Sequence, residues 1–184
     1  MKIIRKITDY DIVGQMDICV VKPKISVRAV LVDEASRIAL VYVKSKNAYT
    51  IPGGGVEGKE SLKEGLVREM YEETGCNFTL LGEIGIVYEN RAQHNFAHIN
   101  HYYLAQVIGE KKMPRFTDSE IRNGCEIVWV NYIECYTAIC EQAINDYQFK
   151  FIRERDKTVL QYLLMGNETV CVKFREIMQI ALKD

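Results

Sequence analysis

GGGVEGKESLKEGLVREMYEETGC, running from Gly53 to Cys76, decides how the rest of this chain is read. A glycine-rich turn leads into an amphipathic helix that ends among glutamates. Ser61, with Glu64 three residues later, forms a capping box and predicts a helix starting at Ser61. Gly75 suits the left-handed position that closes a helix. About 13 residues between them give roughly 20 Å of helix. Leu62, Leu66, Val67 and Met70 fall on one apolar face. Glu69, Glu72 and Glu73 stand at i, i+3 and i+4, so their carboxylates share the flank beside that face.

Three glutamates in that position work against the helix. Glu69 and Glu73 form a like-charge i,i+4 pair, which costs a few tenths of a kcal/mol, roughly. Near the helix C-terminus the macrodipole disfavours each anion by about 0.3–1 kcal/mol. Arg68 can pair with Glu72 at i+4 but cannot offset all of this. A solvated acidic face is the bland reading. The sharper one is a divalent-cation site, because Mg²⁺ and Mn²⁺ take oxygen ligands and bridge carboxylates to phosphates. Gly53, Gly54 and Gly55 follow Pro52 and let the backbone approach a ligand closely. Exposed carbonyls there can join the ligand set.

The spacing Gly54, five residues, Glu60, seven residues, Arg68-Glu69-Met70, one residue, Glu72-Glu73, one residue, Gly75-Cys76 resembles the Nudix box of the Nudix hydrolase family, MutT-like in kind. Every fixed position is filled. Only the last, usually a large aliphatic, departs, with Cys76 in its place. Ile51-Pro52-Gly53-Gly54 and the later Trp129 also look family-like, and the resemblance extends over about residues 24–145. It implies an α/β fold, a Nudix-type α/β/α sandwich with a mixed sheet, here with extra C-terminal helices. It also implies metal-dependent hydrolysis of a diphosphate linkage in a nucleoside diphosphate joined to another moiety. Glu69, Glu72, Glu73 and the Gly54 carbonyl would hold Mg²⁺ or Mn²⁺. Arg68 would orient the acidic cluster with Glu60 as support. Within the box Glu72 or Glu73 would supply the base; outside it Glu120 and Asp118, in the loop just before the Trp129 strand, are placed to do so. Arg28, Gly53 and Arg91 are the candidate substrate contacts. A nucleoside triphosphate or related small nucleotide is the leading substrate. Other readings stay open: ADP-ribose, nucleotide-sugar or dinucleoside polyphosphate hydrolysis, a non-catalytic nucleotide-binding module, or an isopentenyl diphosphate isomerase.

A chain of 184 residues predicts one domain, with residues 1–24 and 146–184 as extensions. A net charge of −1 implies no basic face for a nucleic-acid polymer. The six cysteines form no CxxC pair, which predicts free thiols in a reducing cytoplasm. No apolar run is long enough to span a membrane.

Along the chain, residues 1–24 read as one strand or an extended arm that could help form a homodimer. Residues 25–32 and 38–44 read as a hairpin, 78–88 and 99–108 as strands, and 89–98 as a loop or hairpin near the cleft. Residues 109–124 read as a charged loop and 126–130 as a short strand. Helices are predicted over 131–145, 151–165 and 170–182. His94, His98 and His101 are close in sequence, but their spacing fits neither one helix face nor one strand face.

Overall fold

The computed structural model describes residues 1–15 and 17–180. β1 (Ile3–Ile7) and α1 (Asp9–Val13) precede β2 (Lys24–Val32), β3 (Ile38–Val43), β4 (Ala48–Thr50) and β5 (Gly53–Gly55). α2 (Leu62–Thr74) follows, then β6 (Asn77–Arg91), β7 (Phe96–Ile108), α3 (Asp118–Arg122) and β8 (Cys125–Val130). The chain closes with α4 (Tyr132–Cys140), α5 (Tyr147–Met165) and α6 (Thr169–Ile177).

The sheet runs β1-β6-β7-β2-β3-β4, with β5 also on β2 and β8 also on β3. It is mixed: β1 pairs with β6 and β2 with β7 in parallel, and the other pairings are antiparallel. β2 explains the layering, because successive side chains of a strand point to opposite faces. Val27, Ala29 and Leu31 pack with Leu66 and Met70 of α2. Val30 and Val32 pack with Phe151, Val159 and Leu160 of α5 and Phe174 of α6. Each of the larger side chains contributes about 1.5–3 kcal/mol on burial. The outcome is helix, sheet, helix, as the resemblance implied. No helix of the described residues is long and apolar enough to cross a membrane. All six cysteines are free.

Several elements differ from the sequence expectation. The 25–44 hairpin is joined only at its root, Val32 opposite Ile38, because β5 and β8 take the strands' other partners. Of the two readings of 89–98, the hairpin holds and the loop does not, since 89–91 and 96–98 are strand. Their polar character misleads, since Glu89, Asn90 and Arg91 are buried and satisfy one another or their neighbours. The turn between them is a short 3₁₀ segment closed by Asn95 with φ 46°. The charged loop contains α3, started by a Thr117–Glu120 capping box. α4 ends at Cys140 rather than near residue 145, and α5 begins earlier, behind the N-cap Asp146. The last stretch of the third predicted helix, 181–182, lies outside the described residues.

Candidate functional site

α2 is fixed at both ends by local chemistry. The Ser61 hydroxyl accepts from the Glu64 N–H, and the Glu64 carboxylate accepts from the Ser61 N–H at 2.8 Å. Gly75 takes φ 68° and returns its N–H to the Tyr71 carbonyl. The buried stripe is Leu66, Met70 and Thr74 together with Glu69 and Glu73. Val67, expected on the apolar face, is instead half exposed. Two of the three glutamates therefore stand on the inner face of the helix.

Arg68 binds this cluster together. Its guanidinium donates to Glu60 at 2.6 and 3.2 Å, to Glu69 at 2.8 Å and to Glu72 at 3.1 Å. A further bond reaches the Gly55 carbonyl at 2.8 Å. Such forked, charge-assisted contacts are what arginine supplies and lysine cannot. The Arg68 contacts hold the Glu60 carboxyl below its ordinary range.

The glycine turn sits directly on the helix. β5 pairs with β2, Gly53 opposite Arg28 and Gly54 opposite Val27. Gly53 has φ 132°, and a Cβ there would lie 2.2 Å from the Val27 carbonyl oxygen. A Cβ on Gly54 would meet both Glu69 carboxylate oxygens at 2.5 Å. The Gly53 N–H donates to Glu73 at 2.5 Å. Burial pushes the Glu73 carboxyl up to about 8, against the pull of that N–H and of Arg28, with Glu69 and Glu120 adding to the rise. Glu69 is also raised by burial, with Arg68 opposing.

Two clefts flank the turn. One, of about 380 Å³, brings Glu73 and Glu120 together with Arg28, Thr50 and Cys125. The other, of about 600 Å³, lies along Lys24, Ser26, Arg28, Gly54, Phe96 and His98. Glu120 has its carboxylate on the Thr117 N–H and hydroxyl, at 2.7 and 2.8 Å. Cys125 is pushed up to about 11 by burial and by Glu120 and Glu73, so it offers no thiolate to an isomerase reading.

Among the described residues no three His, Cys, Asp or Glu side chains stand converged as a metal-ligand group. Arg68 occupies Glu69 and Glu72, and the Gly53 N–H occupies Glu73. The donor chemistry still fits a hard cation. Glu69 and Glu73 stay raised by burial even with Arg68 and Arg28 nearby, and the Gly54 backbone is pressed against Glu69. The three histidines do not converge. His98 bonds Ser26, His94 packs edge-on to Tyr147 at 4.6 Å, and His101 leaves its Nδ1 buried and unpaired.

The two arginine candidates are placed differently from expectation. Arg28 lines both clefts, but its guanidinium donates to the Ile51 carbonyl at 3.0 Å and the Gly53 carbonyl at 2.7 Å. Its bonds therefore support the turn. Arg91 is not at the acidic cluster. It is buried on the Glu89 carboxylate between the faces of Phe96 and Phe151, because a charge in that interior needs a partner.

Sequence reasoning missed the contribution of α5. Gln148, Phe149, Ile152 and Arg155 line the Glu73 cleft. Arg155 and Asp156 are both buried and bonded to each other at 2.9 Å. Burial is the largest single influence on each, but their mutual charge and hydrogen bonding, with Tyr102 and Glu89 acting on Arg155 and with Arg28 and Tyr102 acting on Asp156, together leave Arg155 raised and Asp156 lowered. One signal was available: 152, 155, 156, 159, 160 and 163 form a single helical stripe, apolar except at these two positions.

A family model described as NUDIX domain matches residues 22–153. A Bacillus subtilis (strain 168) protein named "Putative 8-oxo-dGTP diphosphatase" is 31% identical over 90 residues, 49% of this chain and 58% of that protein. The match thus spans little more than half the length of that relative. The crystal structure of a MutT protein from Methanosarcina mazei Go1 superposes with a TM-score of 0.51 at 26% identity, over 74% of this chain and 94% of that one. A NUDIX hydrolase from Nitrosomonas europaea gives a TM-score of 0.55 at 20% identity, over 73% and 89%. At that identity the likeness is one of fold alone.

Proposed function

Because this chain belongs to the Nudix family, we propose that it hydrolyses a diphosphate linkage in a small nucleotide, with nucleoside triphosphates as the substrate class. The observation that carries this reading is the Arg68-bound carboxylate set of α2 lying against the Gly53–Gly55 backbone. The activity printed in the name of the Bacillus relative supports the triphosphate class.

Glu69, Glu72, Glu73 and the Gly54 carbonyl would hold a divalent cation, Mg²⁺ or Mn²⁺. Such an ion neutralises phosphate oxygens and acidifies water. The chain's own groups do the rest. Arg68 keeps Glu69 and Glu72 on one side of the helix. Glu60 fixes the far end of the Arg68 fork. The Gly53 N–H sets the orientation of the Glu73 carboxylate. Glu120 faces the same cleft as Glu73 and stands outside the would-be ligand set, so it is the group to take the proton of the attacking water. Arg28 holds the turn carbonyls in place beside the phosphate path.

The test is incubation with Mg²⁺ or Mn²⁺ and pooled nucleoside triphosphates, nucleotide sugars, dinucleoside polyphosphates and ADP-ribose, with products read by mass spectrometry. Loss of triphosphates, with monophosphate and pyrophosphate appearing and with no reaction in EDTA, is expected. Nucleotide binding without turnover in either metal would sink the hydrolase reading.

Arg68→Lys gives an independent check. Lysine keeps the charge but cannot serve Glu60, Glu69, Glu72 and Gly55 at once. Groups that orient metal ligands are worth about 10–100-fold in activity or metal affinity. A loss of that order in kcat/KM is expected, with the melting temperature little changed. Unchanged kinetics would mean that the carboxylates need no such organiser.

A further inference from the structure

The residues just before the glycine turn are held from a distant part of the chain. Asp156, on α5, accepts through one carboxylate oxygen from the Thr50 hydroxyl at 2.8 Å and the Ile51 N–H at 2.9 Å. Its other oxygen accepts from the Tyr102 hydroxyl at 2.6 Å and from Arg155 at 2.9 Å. Asp156 is fully buried, and every one of these partners is protein. On the opposite side of the same residues, Arg28 donates to the carbonyls of Ile51 and Gly53, and the Ala29 N–H donates to the Pro52 carbonyl at 3.2 Å. The segment Ile51–Gly53 is thus gripped at its N–H side by α5 and at its carbonyl side by β2.

We propose that Asp156 is a positioning residue, through which the C-terminal helix α5 sets the glycine turn that meets Glu69 and Glu73. The catalytic half of this proposal rests on the hydrolase reading above. Asp156 stands 105 residues from Ile51 in sequence and beyond residue 153, where the family match ends. Arg155 completes the device. Its guanidinium binds Asp156, reaches the Thr50 hydroxyl at 3.1 Å, and stands 3.6 Å from Glu89. A lone carboxylate at that depth would be costly. One paired and hydrogen-bonded on both oxygens instead has a single arrangement. The turn needs that constraint, since Gly53 at φ 132° is one of many conformations open to a glycine and its neighbours must select it. If the turn shifts, the Gly53 N–H leaves Glu73 and the Gly54 carbonyl leaves the site.

Asp156→Asn keeps the shape and removes one acceptor and the charge. Three measurements test it: hydrogen–deuterium exchange of a peptide spanning residues 49–56, thermal melts, and steady-state kinetics on the nucleotide that the wild-type protein cleaves. Faster exchange in that peptide is expected, with kcat lowered about tenfold or more and KM within about twofold. Val159→Ala, one turn along α5 in the core, is the control for lost stability alone. At a similar drop in melting temperature it should leave both kcat and the 49–56 exchange close to wild type. Equal effects in both variants would overturn the proposal, as would an unchanged 49–56 peptide in Asp156→Asn. If Asp156→Asn fails to fold, Thr50→Val removes one donor to the same oxygen and should show the same signature in smaller measure. Its absence there would also overturn the proposal. If the wild-type protein cleaves nothing, the hydrolase reading fails, and the exchange data still decide whether Asp156 holds the turn.

Discussion

Glu73→Gln is expected to lower kcat by at least about a hundredfold and to leave the fold intact. Groups that merely orient metal ligands are worth about 10–100-fold, so a direct oxygen ligand lost from the cluster should cost at least that much. The same substitution should raise stability in metal-free protein at alkaline pH. Burial lifts the folded-state pKa of Glu73 from 4.5 to about 8. Between those values the folded chain holds a proton that the unfolded chain releases. The stabilising contribution is therefore fully present below pH ~4.5 and lost as pH rises through ~8. Glutamine carries no charge at any pH and escapes that loss. Melts of EDTA-treated protein at about pH 5 and about pH 8.5 read the effect. The variant's advantage in melting temperature should grow with pH. Near-wild-type turnover would sink the ligand assignment. An advantage that shrinks with pH would show that Glu73 is not strained in the empty site. A carboxylate kept where it destabilises the fold is the expected mark of a group retained for function.

The helix and its acidic flank were legible because they are local. Ser61, Glu64 and Gly75 fix the start and end of α2 within one stretch, and i, i+3, i+4 spacing places the glutamates together. The strand character of residues 25–32 is local in the same way, and its side chains enter the cores on both faces of the sheet. The parts not legible are those made by distant partners. Arg28 reads in sequence as a charge free to meet phosphate. Its bonds to Ile51 and Gly53 depend on β5 returning to β2. Arg91 reads as part of a polar loop. Its burial depends on Glu89, two residues away on the same face of a strand that the polar composition hid.

α5 shows the same limit from the other side. The stripe from Ile152 to Leu163 marks a packed helix, and the Arg155-Asp156 interruption within it could have been noticed as a buried pair. Nothing in the sequence says that the pair faces Thr50 and Ile51. That contact exists because β4 lies under α5 once the sheet has formed, and only the three-dimensional path supplies it. The site is therefore legible as chemistry, three carboxylates and a glycine turn, before it is legible as a mechanical assembly.

Among the three adjacent glycines, substitution by alanine should give three different outcomes. Gly53→Ala should be the most damaging. It forces a side chain onto φ 132° and drives the Cβ to 2.2 Å from the Val27 carbonyl oxygen and 2.7 Å from the Arg28 Cα. Both are backbone of a central strand and cannot move without breaking β2 from β5. A loss of ~3 kcal/mol or more belongs to this kind of clash. For a domain of this size that lowers the melting temperature by roughly 6–12 °C. Gly54→Ala meets first the Glu69 carboxylate, the far end of a side chain, at 2.5 Å. Glu69 can swing away, so most of the fold's stability survives while the carboxylate leaves the cluster and turnover falls. Gly55→Ala meets nothing within 4 Å and has no positive φ, so both stability and turnover should stay close to wild type. Melting temperature and kcat measured on the three variants separate these outcomes. Equal damage at all three would mean that the run of glycine serves flexibility. The graded pattern would mean that the Cα positions of Gly53 and Gly54 are closed by particular neighbours, the strand and the acid, while that of Gly55 is open and only its carbonyl is held, by Arg68.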